Sequence, residues 1–80
     1  AMASKFRNAG QTCVCANRLY VHRSIVEPFT VQLAEAARAL RVGDPLDPAT
    51  QVGPLVDAAA VAKVESHVAD AVALGASVVT

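Results

Sequence analysis

Apolar residues recur along this chain at one helical spacing in two long stretches. Over residues 24–40, SIVEPFTVQLAEAARAL, the residues Ile25, Phe29, Leu33, Ala36 or Ala37, and Leu40 fall at steps of three and four, while Gln32, Glu35 and Arg38 fall off that line. Such steps return to one face of a 3.6-residue turn, so the spacing predicts a helix with a single apolar stripe. Ser24, with Glu27 three residues on, has the reciprocal pattern of a capping box and predicts where it starts. Pro28 then falls in or just beyond the first turn, where a missing N–H does least harm. A second helix is predicted over 57–75, DAAAVAKVESHVADAVALG, with Asp57 as N-cap, a stripe of Val61, Val64, Val68 and Val72, and Gly75 as its C-terminal stop. Two short stretches, RLYVH at 18–22 and ASVVT at 76–80, are rich in β-branched residues or carry an aromatic, and read as strands. The opening AMASKFRN reads as a helix.

Between the two long helices, RVGDPLDPATQVGPLVD holds three of the four prolines and two glycines, and is predicted to be a loop. Val42, Leu46, Val52 and Leu55 are spaced through it as anchors, so it is not a domain linker. The order is helix end, cysteine loop, strand, helix, loop, helix, strand, which predicts an α/β fold with helices covering a sheet. No repeat or low-complexity tract interrupts it.

Composition makes this a piece of something larger. At 80 residues the chain buries only about 60% of its unfolded surface. Its 54% hydrophobic content comes mainly from alanine and valine, with Phe6, Tyr20 and Phe29 as its aromatics, so few side chains offer large burial. Residues 1–80 are therefore expected to be a partial domain. Seven acidic residues balance seven basic ones, and no basic stripe is present to neutralise phosphates or an anionic bilayer. Nucleic acid and membranes are not expected as partners. No apolar run approaches the roughly 18 residues of a membrane span, and the first residues lack the order of a signal peptide, so a cytoplasmic setting is expected. Two cysteines are too few for a disulfide framework.

Those cysteines lie one residue apart in GQTCVCANR, residues 10–18, between the first helix and the first expected strand. A glycine ahead of a reactive residue permits a tight turn, and main-chain N–H groups in such a turn can point at a developing oxyanion. Cys13 would attack as its thiolate. The competing reading of either cysteine is a buried structural thiol. Cys13, Cys15, His22 and His67 number four nominal metal ligands, but Cys-x-Cys is not zinc spacing and no second compact pair follows, so no metal site is expected. His22 is expected to end a strand and His67 to lie on the second helix. Asn8 and Asn17 flank the loop and are expected to hold its backbone by local side-chain hydrogen bonds.

The stretch FRNAGQTC, with Phe6, Gly10, Gln11 and Cys13, resembles the cysteine signature of the aldehyde dehydrogenase superfamily. The likeness continues in order through CANRLYVH, the following helix, VGDPLD and VGPLVD, and so covers essentially the whole chain. Among the branches the chain is most similar to the succinate-semialdehyde dehydrogenases, whose cysteine region reads very much like KFRNAGQTCVCANR and includes the second cysteine.

The resemblance implies an oxidoreductase in which Cys13 adds to an aldehyde carbon to give a thiohemiacetal. Hydride then passes to NAD or NADP, and water hydrolyses the resulting thioester to the carboxylic acid. It implies that the Cys13 backbone N–H helps hold the oxyanion and that Arg7 receives the far carboxylate of succinate semialdehyde. The competing reading of Arg7 is a helix-terminal cation facing the negative end of the macrodipole. Cys15 is implied as a redox-regulatory residue able to form a disulfide with Cys13, provided the loop brings their Cα atoms within roughly 7 Å; packing alone is the competing reading. The family's oxyanion asparagine, glutamate base and dinucleotide-binding fold all precede this cysteine. No glycine-rich phosphate loop is present here, and Glu27 and Glu35 belong to the first long helix. The chain is thus expected to be a fragment of the catalytic domain, without cofactor-binding residues, inactive alone and partnered by the remainder of a parent enzyme. The parent is implied to be a homo-oligomer acting on a small aldehyde. Two other readings stay open: a non-catalytic α/β interaction module with incidental or redox-sensing cysteines, and a dehydrogenase for a different aldehyde.

Overall fold

A computed structural model describes all 80 residues. Three α-helices form: α1 at Met2–Lys5, α2 at Val26–Arg38 and α3 at Ala58–Ala73. Single 3₁₀ turns at Arg7–Gly10 and Arg23–Ile25 follow α1 and precede α2. The opening helix is thus shorter than expected, because Asn8 and Ala9 take left-handed backbone angles that no right-handed helix can continue through.

The two long helices lie where periodicity put them, and their ends explain why. Asp57 caps α3, its Oδ1 accepting from the Ala60 N–H at 2.7 Å. At the other end Gly75 turns left-handed with φ +96°. The Gly75 N–H then donates to the Val72 carbonyl at 3.0 Å and the Ala76 N–H to that of Ala71 at 2.9 Å. This paired closure satisfies carbonyls the helix leaves open.

The start of α2 is built differently from expectation. His22 supplies the cap, its Nδ1 accepting from the Ser24 N–H at 3.3 Å and lying 2.8 Å from the Ser24 hydroxyl. With its hydroxyl engaged there, Ser24 sits inside the 3₁₀ turn and no capping box with Glu27 forms. Pro28 does fall in the first turn of α2 and Glu27 beside it, toward the positive end of the helix dipole.

Neither expected strand forms. Residues 18–22 and 76–80 carry no strand, and the sole β-type pairing is an isolated parallel bridge between Val42 and Val52. A strand exists only as one side of a hydrogen-bonded ladder, and no neighbouring segment offers the other side. The C-terminal segment is held instead by Arg38, whose Nη2 donates to the Val79 carbonyl at 2.6 Å. Within the 41–57 loop, Asp44 and Asp47 each accept from the N–H two residues on, at 2.8 Å. Of its expected anchors, Val52 and Leu55 are half-buried, whereas Val42 and Leu46 are exposed.

Only Cys15 and Ala34 are buried. Ala34 lies on α2, where Phe29, Leu33, Ala36 and Ala37 are half-buried around it. An apolar hollow of about 260 Å³ remains beside them, lined in part by Phe6, Leu19, Leu33, Ala37 and Val79. The valine stripe of α3 stays between 42% and 51% exposed. The radius of gyration is 14.1 Å, against about 12 Å for a compact domain of this length.

Candidate active site

The cysteine turn is densely hydrogen-bonded, and its backbone explains why it needs to be. Asn8 (φ 51°), Ala9 (φ 55°) and Gly10 (φ 79°) are left-handed in succession. That conformation costs an ordinary residue roughly 1–2 kcal/mol and glycine almost nothing. Glycine is therefore the least costly residue at position 10, where a Cβ would meet the Lys5 carbonyl oxygen at 3.4 Å. The turn is held by Gln11, whose backbone N–H and side-chain Nε2 both donate to the Asn8 carbonyl, at 3.0 and 3.1 Å. Asn8 returns a bond from Nδ2 to the Gln11 carbonyl at 3.3 Å.

From that turn the chain enters a second one. The Cys15 N–H donates to the Thr12 carbonyl at 3.0 Å, which puts Cys13 at the first corner of a four-residue turn. Its thiol is free and its side chain exposed. Its N–H donates to no other group of the chain. The Thr12 hydroxyl donates to the Arg7 carbonyl at 3.4 Å, tying the backbone of Arg7 to the residue next to Cys13, and the Arg7 side chain is exposed. A thiol, an uncommitted backbone donor beside it and a guanidinium six residues upstream are thus all presented to the outside of one compact loop. That set can add sulfur to a carbonyl carbon, receive the oxygen's charge and hold an anion.

Cys15 is treated oppositely. It is 8% exposed, and its Sγ lies 3.9 Å from the Lys5 carbonyl oxygen, a contact on the scale of a weak thiol donor. Next to it the Ala16 N–H donates to the Ser4 hydroxyl at 3.1 Å. Cys15 and Ala16 therefore anchor the far side of the loop onto α1. Asn8 holds the loop as expected, whereas Asn17 is exposed and enters none of these side-chain bonds. His22 serves as a cap and His67 is exposed on α3. No three of the chain's His, Cys, Asp and Glu side chains gather where they could hold a metal ion. No helix is long and apolar enough to cross a membrane.

Sequence reasoning missed one residue of this site. The Val56 N–H donates to the Gln11 Oε1 at 2.9 Å, across 45 residues. Nothing local signals that reach, since neither segment carries a periodic or paired pattern pointing to the other.

The family model that matches, over residues 1–80, is that of the aldehyde dehydrogenase family. The NADP(+) succinate-semialdehyde dehydrogenase GabD of Escherichia coli (strain K12) is 58% identical over 99% of this chain and 16% of its own length. The mitochondrial succinate-semialdehyde dehydrogenase of Rattus norvegicus is 59% identical, with 100% and 16% covered. The glutarate-semialdehyde dehydrogenase of Pseudomonas aeruginosa is 54% identical, with 100% and 17% covered. Among solved structures, the succinate-semialdehyde dehydrogenase of Burkholderia pseudomallei superposes with a TM-score of 0.92 at 52% identity, covering 99% of this chain and 16% of that one. This chain thus spans about a sixth of the length of the proteins it matches. The unpaired segments, the half-exposed valine stripe and the complete cysteine turn are those of an excerpt whose local geometry is intact: the chain belongs to the aldehyde dehydrogenase family.

Proposed function

We propose that this chain is the nucleophile-bearing part of the catalytic domain of an NAD(P)-dependent enzyme that oxidises succinate semialdehyde to the acid. The observation that carries the reading is Cys13, exposed at the corner of a braced turn with its own N–H unengaged. In the addition step the sulfur's electron pair forms the C–S bond, the carbonyl π pair moves onto oxygen, and the Cys13 N–H donates to the resulting oxyanion. Arg7 takes the substrate's far carboxylate in a two-pronged, charge-assisted contact. Relatives named for succinate and for glutarate semialdehyde support an aldehyde carrying a remote carboxylate.

The residues present do not fit a nicotinamide dinucleotide. The N-terminus of α3 is closed by the Asp57 carboxylate, which repels phosphate, and that of α2 is preceded by the His22–Ser24 turn. Hydride acceptance therefore belongs to parts of the enzyme beyond this chain. The E. coli relative's name supports NADP as the acceptor. The family resemblance carries the further proposal of a homo-oligomeric enzyme, and the sequence composition that of a cytoplasmic one; the rat relative is named as mitochondrial.

Cys15 is proposed as a second, regulatory thiol able to join Cys13 in a disulfide that stops turnover. Joining the two thiols is a two-electron oxidation, for which peroxide is the oxidant, and Cys15 is the buried partner beside Lys5. In the complete enzyme, Cys15→Ser should keep most activity and resist peroxide, and equal peroxide sensitivity in both proteins would reduce Cys15 to packing. For the main reading, the complete enzyme is assayed on succinate semialdehyde, glutarate semialdehyde and an uncharged aldehyde of similar length. Preference for succinate semialdehyde is expected. Equal kcat/KM on all three removes the substrate assignment.

A further inference from the structure

We propose that Gln11 is a positioning residue for Cys13, its side-chain amide clamping the left-handed Asn8–Gly10 turn to the backbone of Val56. The inference rests on the reading of Cys13 as nucleophile, and adds to it a residue that touches neither substrate nor sulfur.

Both ends of the amide are used. Oε1 accepts from the Val56 N–H at 2.9 Å, and Nε2 donates to the Asn8 carbonyl at 3.1 Å. Only an amide of this length supplies an acceptor to one segment and a donor to the other at once; a carboxylate has no donor, and asparagine is one methylene short. The other side-chain bonds of the loop stay inside residues 4–16: Ser4 with Ala16, Asn8 with Gln11, Thr12 with Arg7, Cys15 with Lys5. Gln11 is thus the loop's one polar tether to the 53–57 segment.

Position, rather than stability, is what this tether can control. Gln11 and Val56 are exposed, where water competes for both partners and the net worth of a hydrogen bond is small. The turn it braces, however, holds two non-glycine residues in a left-handed conformation that persists only where surrounding bonds over-determine it. Cys13 lies two residues beyond, and its sulfur must meet a carbonyl held by parts of the enzyme outside this chain. A displacement of the order of 1 Å there can cost up to about a hundredfold in rate.

The test uses the complete enzyme with Gln11→Met, which keeps the length and removes both polar ends, and Gln11→Glu, which keeps the acceptor for Val56 and loses the donor. Gln11→Met should lower kcat about tenfold or more while KM for the aldehyde moves less than about twofold. Gln11→Glu should lose kcat comparably, because its carboxylate cannot donate to the Asn8 carbonyl and the clamp needs both ends, and iodoacetamide alkylation of Cys13 should be altered in both variants. Where Gln11→Met does not fold, Gln11→Asn carries the same expectation. Wild-type kcat in Gln11→Met, Gln11→Asn or Gln11→Glu overturns the proposal. Cys13→Ser measured alongside separates the two readings. Retained turnover there removes the nucleophile and the clamp with it, whereas lost turnover there with full kcat in the Gln11 variants overturns the clamp alone.

Discussion

The cysteine loop, residues 4–16, and α3 satisfy their backbones by opposite means. The loop has almost no repetitive structure, and bonds from Ser4, Asn8, Gln11, Thr12 and Cys15 fold it back on itself and on α1. Helix α3 is 16 residues of regular hydrogen bonding, capped at both ends, with no buried residue. Its four stripe valines remain about half exposed, and a fully buried valine is worth about 1.5–3 kcal/mol, so much of their stabilisation is still to be gained. The loop is specified by short-range bonds within one segment, supplemented by the single Gln11–Val56 contact. Scaffold is specified as a face waiting for a partner. The same excerpt can therefore carry a finished active-site turn on an unfinished core.

The largest effect should come from the finished part. In the complete enzyme, Cys13→Ser should lower kcat by about 10⁴-fold or more, the scale on which removal of a covalent nucleophile acts. Activity within tenfold of wild type would mean that the turn presents the wrong thiol. The isolated 80-residue chain should show no cofactor-dependent aldehyde oxidation at any NAD or NADP concentration. Positioning of both reactants supplies as much as roughly 7–11 kcal/mol of barrier lowering, and here one reactant has no seat. Turnover by the purified chain would break the division between turn and scaffold.

The next effect belongs to the unfinished part. If other segments cover the valine face of α3 in the complete enzyme, Val68→Asp should destabilise it by about 3 kcal/mol or more, measured by denaturant midpoint, because it buries an unpaired carboxylate. In the isolated chain the same change should leave helicity by circular dichroism nearly unaltered, as surface substitutions do, within about 0.5 kcal/mol. Equal effects in the two settings would mean that α3 faces solvent in the whole enzyme as well. Arg7→Ala follows in size. It should raise KM for succinate semialdehyde by the equivalent of roughly 1.5–3 kcal/mol while sparing an uncharged aldehyde, with Arg7→Lys recovering only part. Equal damage to both substrates would make Arg7 a support for the loop that carries Cys13.

The two regions were also unequally legible. Both long helices could be read because a 3.6-residue period and end signals such as Asp57 and Gly75 act within a few residues of where they are written. The strands could not be, because 18–22 and 76–80 have the right composition but strand formation depends on a neighbour, and none lies within this chain. The start of α2 differs for a subtler reason: Ser24 and Glu27 fit a capping box, yet His22, two residues earlier, competes for the same serine. In the cysteine turn, the motif marked Cys13 and Arg7, which the structure leaves exposed, and Gly10, which it turns left-handed. The Gln11 contact with Val56 was not, because a bond across 45 residues leaves no periodic trace. Nor did composition distinguish Cys13 from Cys15; only the folded loop turns one outward and the other onto Lys5.

The smallest expected effect joins the two regions. Asp57 follows Val56, so the residue that starts α3 is adjacent to the one that meets the cysteine loop. Asp57→Ala removes the Ala60 N–H acceptor and should cost about 1 kcal/mol of stability in the complete enzyme, while Asp57→Asn, itself a good N-cap, should cost little. If Gln11 alone sets the position of Val56 relative to Cys13, kcat in Asp57→Ala should stay within about twofold of wild type, since helix fraying of this size leaves the Val56 N–H in place. If kcat instead falls as far as in Gln11→Met, the cap and the tether act as one unit, and the start of α3 helps to position the nucleophile. Measuring both variants and their double mutant decides it: independent losses multiply, whereas a shared unit shows little further loss in the double.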